Sequence, residues 1–200
     1  MKETKDHIVL TALKLFLCKS YRDVTMKDIV TETGLSKGAF YHYFDSKESV
    51  FEAVVRLVYE QQMFLDFGGL PNDSLKAFYT GYIESVNQIN EQFKELGDDL
   101  NFFGFVLDAA KLVPGFSIIH KNSKQIERKY WQAAIANGRG LNEVTANLPD
   151  EVIAELFIHL KSGLIFDKAS KYYPDYANFL ADLTQMFDNF YKLVTAGSPE

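Results

Sequence analysis

Cysteine is nearly absent: Cys18 stands alone in 200 residues, so no disulfide can form within the chain. Cys18 falls among Leu13, Leu15, Phe16 and Leu17, which predicts a buried structural thiol. Histidine is also sparse. His7, His42, His120 and His159 have no H-x-x-x-H spacing, and with no cysteine cluster neither a metal site nor a cofactor is expected. Glycine-rich phosphate loops are missing too. The segment NGRGLN follows a helical pattern rather than a strand and lacks G-x-G-x-x-G, so it reads as a helix stop and catalysis is not expected. No unbroken apolar run reaches 18 residues, which excludes a membrane-spanning helix. The opening MKETKDHIVLTALKLF intersperses charge and lacks the apolar core of a secretory leader, so the expected compartment is the cytoplasm.

What is present fits a folded domain. The chain is 47% hydrophobic and 24% charged, close to average globular usage. A net charge of −6 argues at first against a polyanionic partner, but the charge is unevenly spread. Residues 1–50 hold 8 Lys/Arg and 7 Asp/Glu, and the remainder holds 13 and 20. An acidic body therefore follows a nearly neutral opening unit, and such a unit can bind nucleic acid if its cations share a face.

Nearly every segment has helical periodicity. Ile8, Val9, Ala12, Leu15 and Phe16 recur at 3.6-type spacing from about Lys5 to Lys19. Thr25 then reads as a helix N-cap with Asp28 as the capping-box acid, and Val24 and Ile29 suit a hydrophobic staple. Gly34 suits a left-handed helix stop. Ser36 caps a short helix over about residues 37–43, and Asp45, with Glu48 three residues on, reads as the cap of a fourth. Val50, Phe51, Val54, Val55 and Val58 form that helix's apolar stripe. FGGLPND, from Phe67 to Asp73, is the best boundary signal. Further helices are expected from Leu75 to past Val86, over 102–113, from after Pro114-Gly115 to about Asn137, from Pro149-Asp150 to about Asp167, and from Pro174 to about Val194.

Helix, three-residue turn with glycine, helix is the helix-turn-helix pattern, whose second helix enters the DNA major groove. Gly38 and Ala39 are small enough for close approach. Tyr41, His42 and Tyr43 offer groups that bond phosphate oxygens, while Phe40 and Phe44, four apart, face the domain core. Three lysines, Lys27, Lys37 and Lys47, each fall at a helix start. Cations are locally unfavourable there by about 0.3–1 kcal/mol, a penalty that reverses if a phosphate docks at the same place. The candidate DNA-contacting residues are Thr25, Lys27, Ser36, Lys37, Gly38, Ala39, Tyr41, His42, Tyr43 and Lys47.

The stretch ALKLFLCKSYRDVTMKDIVTETGLSKGAFYHYFDSKESVFEAV resembles the TetR family of transcriptional regulators. The likeness covers about residues 5–58, with T-x-x-D/E-I-V followed by G-L-S-K-G-A-F-Y-x-x-F-x-S-K-E and a long linking helix. The family usually has Tyr-His before the second Phe; here the order is His42-Tyr43, and either could hold a phosphate. The resemblance implies an all-α fold. A three-helix helix-turn-helix DNA-binding domain, residues 1–46, would precede a helical ligand-binding and dimerisation domain, residues 47–200. It implies a homodimer on a palindromic double-stranded DNA operator, a repressor released by a small-molecule effector of unknown identity.

The helices that would line such a pocket carry Phe78, Tyr82, Phe102, Phe103, Phe105, Asp108, Phe116, Tyr130 and Trp131. Together they suggest a bulky apolar or aromatic effector. The last two helices carry apolar stripes that include Leu156, Leu160, Leu164, Phe179, Leu183, Phe187 and Phe190. Periodicity alone leaves these as protomer core or as a four-helix dimer interface; the resemblance favours the dimer. The alternative is a helix-turn-helix dimer controlled by a protein partner, or acting architecturally, without a small-molecule ligand.

Overall fold

Side-chain caps set the helix boundaries at the start of the chain. The structure is a computed structural model and describes residues 2–60, 65–93, 102–169 and 176–196. Among them the chain is helical: α1 (Lys2–Cys18), α2 (Met26–Thr33), α3 (Lys37–Tyr41), α4 (Lys47–Glu60), a short 3-10 turn (Phe67–Gly69), α5 (Leu75–Phe93), α6 (Phe102–Leu112), α7 (Phe116–Gly140), α8 (Asp150–Ala169) and α9 (Tyr176–Thr195). Two compact units emerge, one of residues 1–63 and 93–121, the other of residues 64–92 and 122–200.

In the first unit, Thr25 and Asp28 form the expected capping box, with Asp28 N–H donating to Thr25 Oγ1 at 3.2 Å and Thr25 N–H to Asp28 Oδ2 at 2.8 Å. The Thr25 hydroxyl, which donates to Asp28 Oδ2 at 2.7 Å, and then the Thr25 N–H hold the Asp28 carboxyl below its ordinary range. Gly34 ends α2 at φ 67°, a left-handed conformation that suits glycine. Ser36 caps α3, which stops at Tyr41 rather than Tyr43. The cap of α4 is Ser46, not Asp45. Ser49 N–H donates to Ser46 Oγ at 3.1 Å, and Val50 N–H to the Ser46 carbonyl. The shift of one residue frees Glu48 to accept a bond from the Tyr21 hydroxyl at 2.8 Å. Ile8, Ala12, Val24, Ile29, Phe40, Val50 and Val54 are fully buried. Phe51 joins them, edge-on to Phe16 at 4.9 Å and to Phe105 at 5.5 Å. Cys18, in the last turn of α1, is half-buried rather than buried.

The second unit has an aromatic core. Trp131 stacks on Phe157 at 4.7 Å, and Phe187 meets Phe157 edge-on at 5.0 Å. Phe78, Tyr79 and Tyr82 of α5 are buried in the same cluster. Helix α7 runs three residues past the expected stop at Asn137. Its end is closed by Asn142 in the left-handed region at φ 57° and by Glu143 N–H donating to the Gly138 carbonyl at 2.8 Å. A Cβ on Gly138 would lie 2.7 Å from Glu143 Oε2. That close approach lets the Glu143 carboxylate accept from Leu75 N–H and Lys76 N–H, both at 2.9 Å, capping α5 from 68 residues away.

One charged cluster lies in this unit. Glu127 is buried, and its carboxylate accepts from Lys161 Nζ at 2.6 Å and Lys124 Nζ at 2.7 Å. Burial alone would raise the Glu127 pKa, but the two ammonium groups outweigh it and hold the acid down at about 2. The unfolded chain carries this group near the ordinary value, so between the two values the unfolded state binds more protons. The contribution is present above the unfolded value and is lost as pH falls towards 2. Urea unfolding across a pH series is expected to show stability falling through this window. Glu127→Gln should flatten that dependence by up to about 1.4 kcal/mol per pH unit. An unchanged slope would mean that Glu127 does not hold this charge state.

Candidate nucleic-acid interface

The turn after α1 is held by Tyr21. Its hydroxyl donates to Glu48, its N–H donates to Asp108 Oδ2 at 3.0 Å, and its carbonyl accepts from Lys47 Nζ at 2.8 Å. Its ring lies against Phe16 and Phe51. Burial, then the bond to Glu48, pushes the Tyr21 pKa well above the ordinary tyrosine range, so the phenol stays a donor. Lys47 Nζ also bonds the Val24 carbonyl at 2.8 Å and sits 4.0 Å from the Tyr21 ring centre. Lys47 at the start of α4 therefore has an intramolecular reason. Two of its three donors hold the turn that leads into α2.

With the turn fixed, α2 and α3 present a polar face. Thr25, Lys27, Ser36, Lys37, Gly38, Ala39, Tyr41 and His42 are exposed, and Tyr43 is half-buried. Phe40 is fully buried and Phe44 nearly so, as their spacing predicts. Helix α3 is thus anchored on one side while Tyr41, at 50% exposure, stands out on the other. Gly38 has nothing within 4 Å of where a Cβ would stand, so its surface is open to a partner. The imidazole of His42 and the ring of Tyr43 meet edge-on at 5.1 Å.

The nine candidate effector residues divide between the units. Phe102, Phe103, Phe105, Asp108 and Phe116 belong to the first; Phe78, Tyr82, Tyr130 and Trp131 belong to the second. Asp108 is occupied by the Tyr21 N–H and lines a groove of about 170 Å³ with Lys19, Ser20 and Lys111. Of the seven dimer candidates, Leu164, Phe179, Leu183 and Phe187 lie in the protomer core, and Leu160 and Phe190 pack against it. Leu156 is exposed, and so are Val152 and Phe166 of α8 and Met186 and Leu193 of α9.

Sequence reasoning did not find Tyr21, Glu127 or Lys161. Tyr21 lies between two helices, where periodicity gives no signal. Lys161 meets Glu127 across 34 residues, and only the local pair Lys124–Glu127, three apart, hinted at the cluster.

A family model described as "Bacterial regulatory proteins, tetR family" matches residues 8–54, the span that builds this face. A TetR-family regulator from Agrobacterium tumefaciens shares the fold, with a TM-score of 0.71 at 14% identity over 98% of this chain and 99% of that one. Over residues 8–54 the chain matches the TetR family. Its relatives are transcriptional regulators rather than enzymes. YuxN of Bacillus subtilis, an HTH-type transcriptional regulator, is 43% identical over 104 residues, covering 48% of this chain and 36% of YuxN. IcaR of Staphylococcus aureus strain Newman, a negative regulator of the biofilm operon icaADBC, is 30% identical over 91 residues, covering 44% of this chain and 49% of IcaR. The chain spans roughly a third to half of the length of these two relatives.

The lysines should separate by role. Lys47→Met removes two charge-assisted bonds to carbonyls and is expected to cost about 1.5–3 kcal/mol in urea unfolding. Lys27→Met, at an exposed site, should stay within about 0.5 kcal/mol. Equal effects would contradict the structural role of Lys47.

Proposed function

We propose that this TetR-family chain is a DNA-binding transcriptional repressor that acts in the cytoplasm as a homodimer on a near-palindromic operator. The observation that carries the reading is the face of α2 and α3: small and polar residues stay exposed along a helix whose other side is buried at Phe40. Helix α3 enters the major groove, with Gly38 and Ala39 permitting close approach. Lys27 and Lys37 bond phosphates, as do Tyr41 and one of His42 and Tyr43. Lys47 reaches a phosphate only with its third donor. IcaR, a relative with a matching helix-turn-helix, is a negative regulator by its name, which supports repression.

The dimer forms through α8 and α9. Exposed Val152, Leu156 and Phe166 recur at helical spacing on α8, and Met186 and Leu193 lie two turns apart on α9. Gly163, between Leu156 and Phe166, has no neighbour within 4 Å of a Cβ position and lets a second helix approach. Each protomer then brings one recognition helix to one half-site. A small molecule binds the domain beyond α4 and favours a state whose recognition helices no longer match the operator. It shifts the equilibrium only by its preference for that state.

Fluorescence anisotropy on DNA from upstream of the chain's own gene, across a salt series, tests this reading. Tight binding, far above that to scrambled DNA and with a steep negative salt slope, is expected. Lys27→Ala and Lys37→Ala should each make the slope shallower by about 0.9. Unchanged slopes in both variants would remove the proposed phosphate contacts. Sequence-blind binding to DNA selected from the whole genome would remove the operator.

A further inference from the structure

The charges gathered around buried Glu127 do not balance. Lys124 and Lys161 both spend a bond on the single carboxylate of Glu127. The neighbouring Arg128 is paired with Glu155, so the group as a whole carries one positive charge in excess. An ammonium has three donors. Among the described residues, Lys124 and Lys161 each have one hydrogen-bond partner, the Glu127 carboxylate. Burial, then the nearby Lys161, pushes the Lys124 pKa below the ordinary lysine range.

A neutral donor lies on the same face of α7. Trp131 is fully buried, and its indole N–H has no hydrogen-bond partner among the described residues. Lys124, Glu127 and Trp131 are spaced three and four apart along α7, so they share one face. Tyr82 closes the group. Its ring centre is 5.4 Å from that of Trp131 and 5.3 Å from Lys161 Nζ, and its hydroxyl donates to Glu127 at 3.5 Å. A buried N–H without an acceptor is unfavourable. Surplus cations and an orphan donor within one cluster have a common complement, an anion with an apolar body.

We propose that Lys124, Lys161 and the indole N–H of Trp131 form the recognition point for an acidic effector, a small monocarboxylate with an aromatic or aliphatic body. This rests on the reading that the second unit takes a small molecule. The carboxylate bonds the two ammonium groups and balances their excess charge. Glu127 keeps both lysines charged and in place, and by the same charge repels an acid that does not reach the ammonium groups. A cationic ligand would instead add to the surplus.

Trp131 is the single tryptophan of the chain, so its emission reports this cluster directly. The intact protein is titrated with matched sets of acid, amide and amine: 3-phenylpropionate, 3-phenylpropionamide and 3-phenylpropylamine, and the octanoyl equivalents. At least one acid is expected to change Trp131 emission saturably and to bind about tenfold or more tighter than its amide and amine. Lys161→Met should weaken that acid by about tenfold or more. Lys124→Gln serves as the second variant should Lys161→Met unfold, with near-UV circular dichroism to confirm the fold of either. Amines binding as well as acids, or no ligand of either set binding, overturns the proposal. DNA anisotropy on the same samples separates the two readings. Specific DNA binding without acid preference removes the ligand class and leaves the regulator. Acid binding without specific DNA binding does the reverse.

Discussion

The bond of Lys47 to the carbonyls of Tyr21 and Val24 is the constraint on which the DNA-facing unit rests. The turn between α1 and α2 has no helical bonds of its own to use. It packs on Phe16 and Phe51 through the Tyr21 ring. Lys47 satisfies two of its carbonyls from the first turn of α4, and the Tyr21 hydroxyl and N–H go to Glu48 and Asp108. One short turn is thereby tied to α4 and to α6. The position of α2, and through the Gly34 turn that of α3, follows from it. A cation at a helix start is locally unfavourable; here that small penalty is offset by bonds that set the geometry of the whole unit.

That geometry explains why a chain of net charge −6 suits a polyanion. Affinity for DNA depends on where the few cations stand. Anchoring Phe40 and Phe44 inward leaves Lys37, Tyr41 and His42 exposed, as Lys27 is. The basic residues are denser in this opening unit, with 8 Lys/Arg in residues 1–50 and 13 in the other 150.

Local chemistry was legible in the sequence. The capping box of Thr25 and Asp28, the left-handed stop at Gly34, the cap at Ser36 and the inward pair Phe40 and Phe44 involve partners within four residues, and all stand as the pattern predicts. The cap of α4 fell one residue off because Asp45 and Ser46 both suit the position; the reciprocal bonds between Ser46 and Ser49 select Ser46, and Glu48 goes to Tyr21. Contacts across long separations were not legible. Glu143 caps α5 from 68 residues away, and nothing near Leu75 announces it. The end of α7 was misplaced because NGRG reads locally as a stop, while its continuation depends on Asn142 and Glu143. The stripes of α8 and α9 carried the same limit. Periodicity marks an apolar face but not what covers it. Leu164, Leu183 and Phe187 are covered by their own chain, while Leu156, Phe166 and Leu193 are exposed.

Amide hydrogen exchange of the intact protein, with and without DNA carrying its operator, tests the central claim most directly. On DNA the account predicts slower exchange from Lys27 through Tyr43, strongest at the start of α3. The amides of Tyr21 and Val50, already bonded within the protein, should change little. Protection that skips α3, or that appears only in the second unit, would contradict the assignment of this face to DNA.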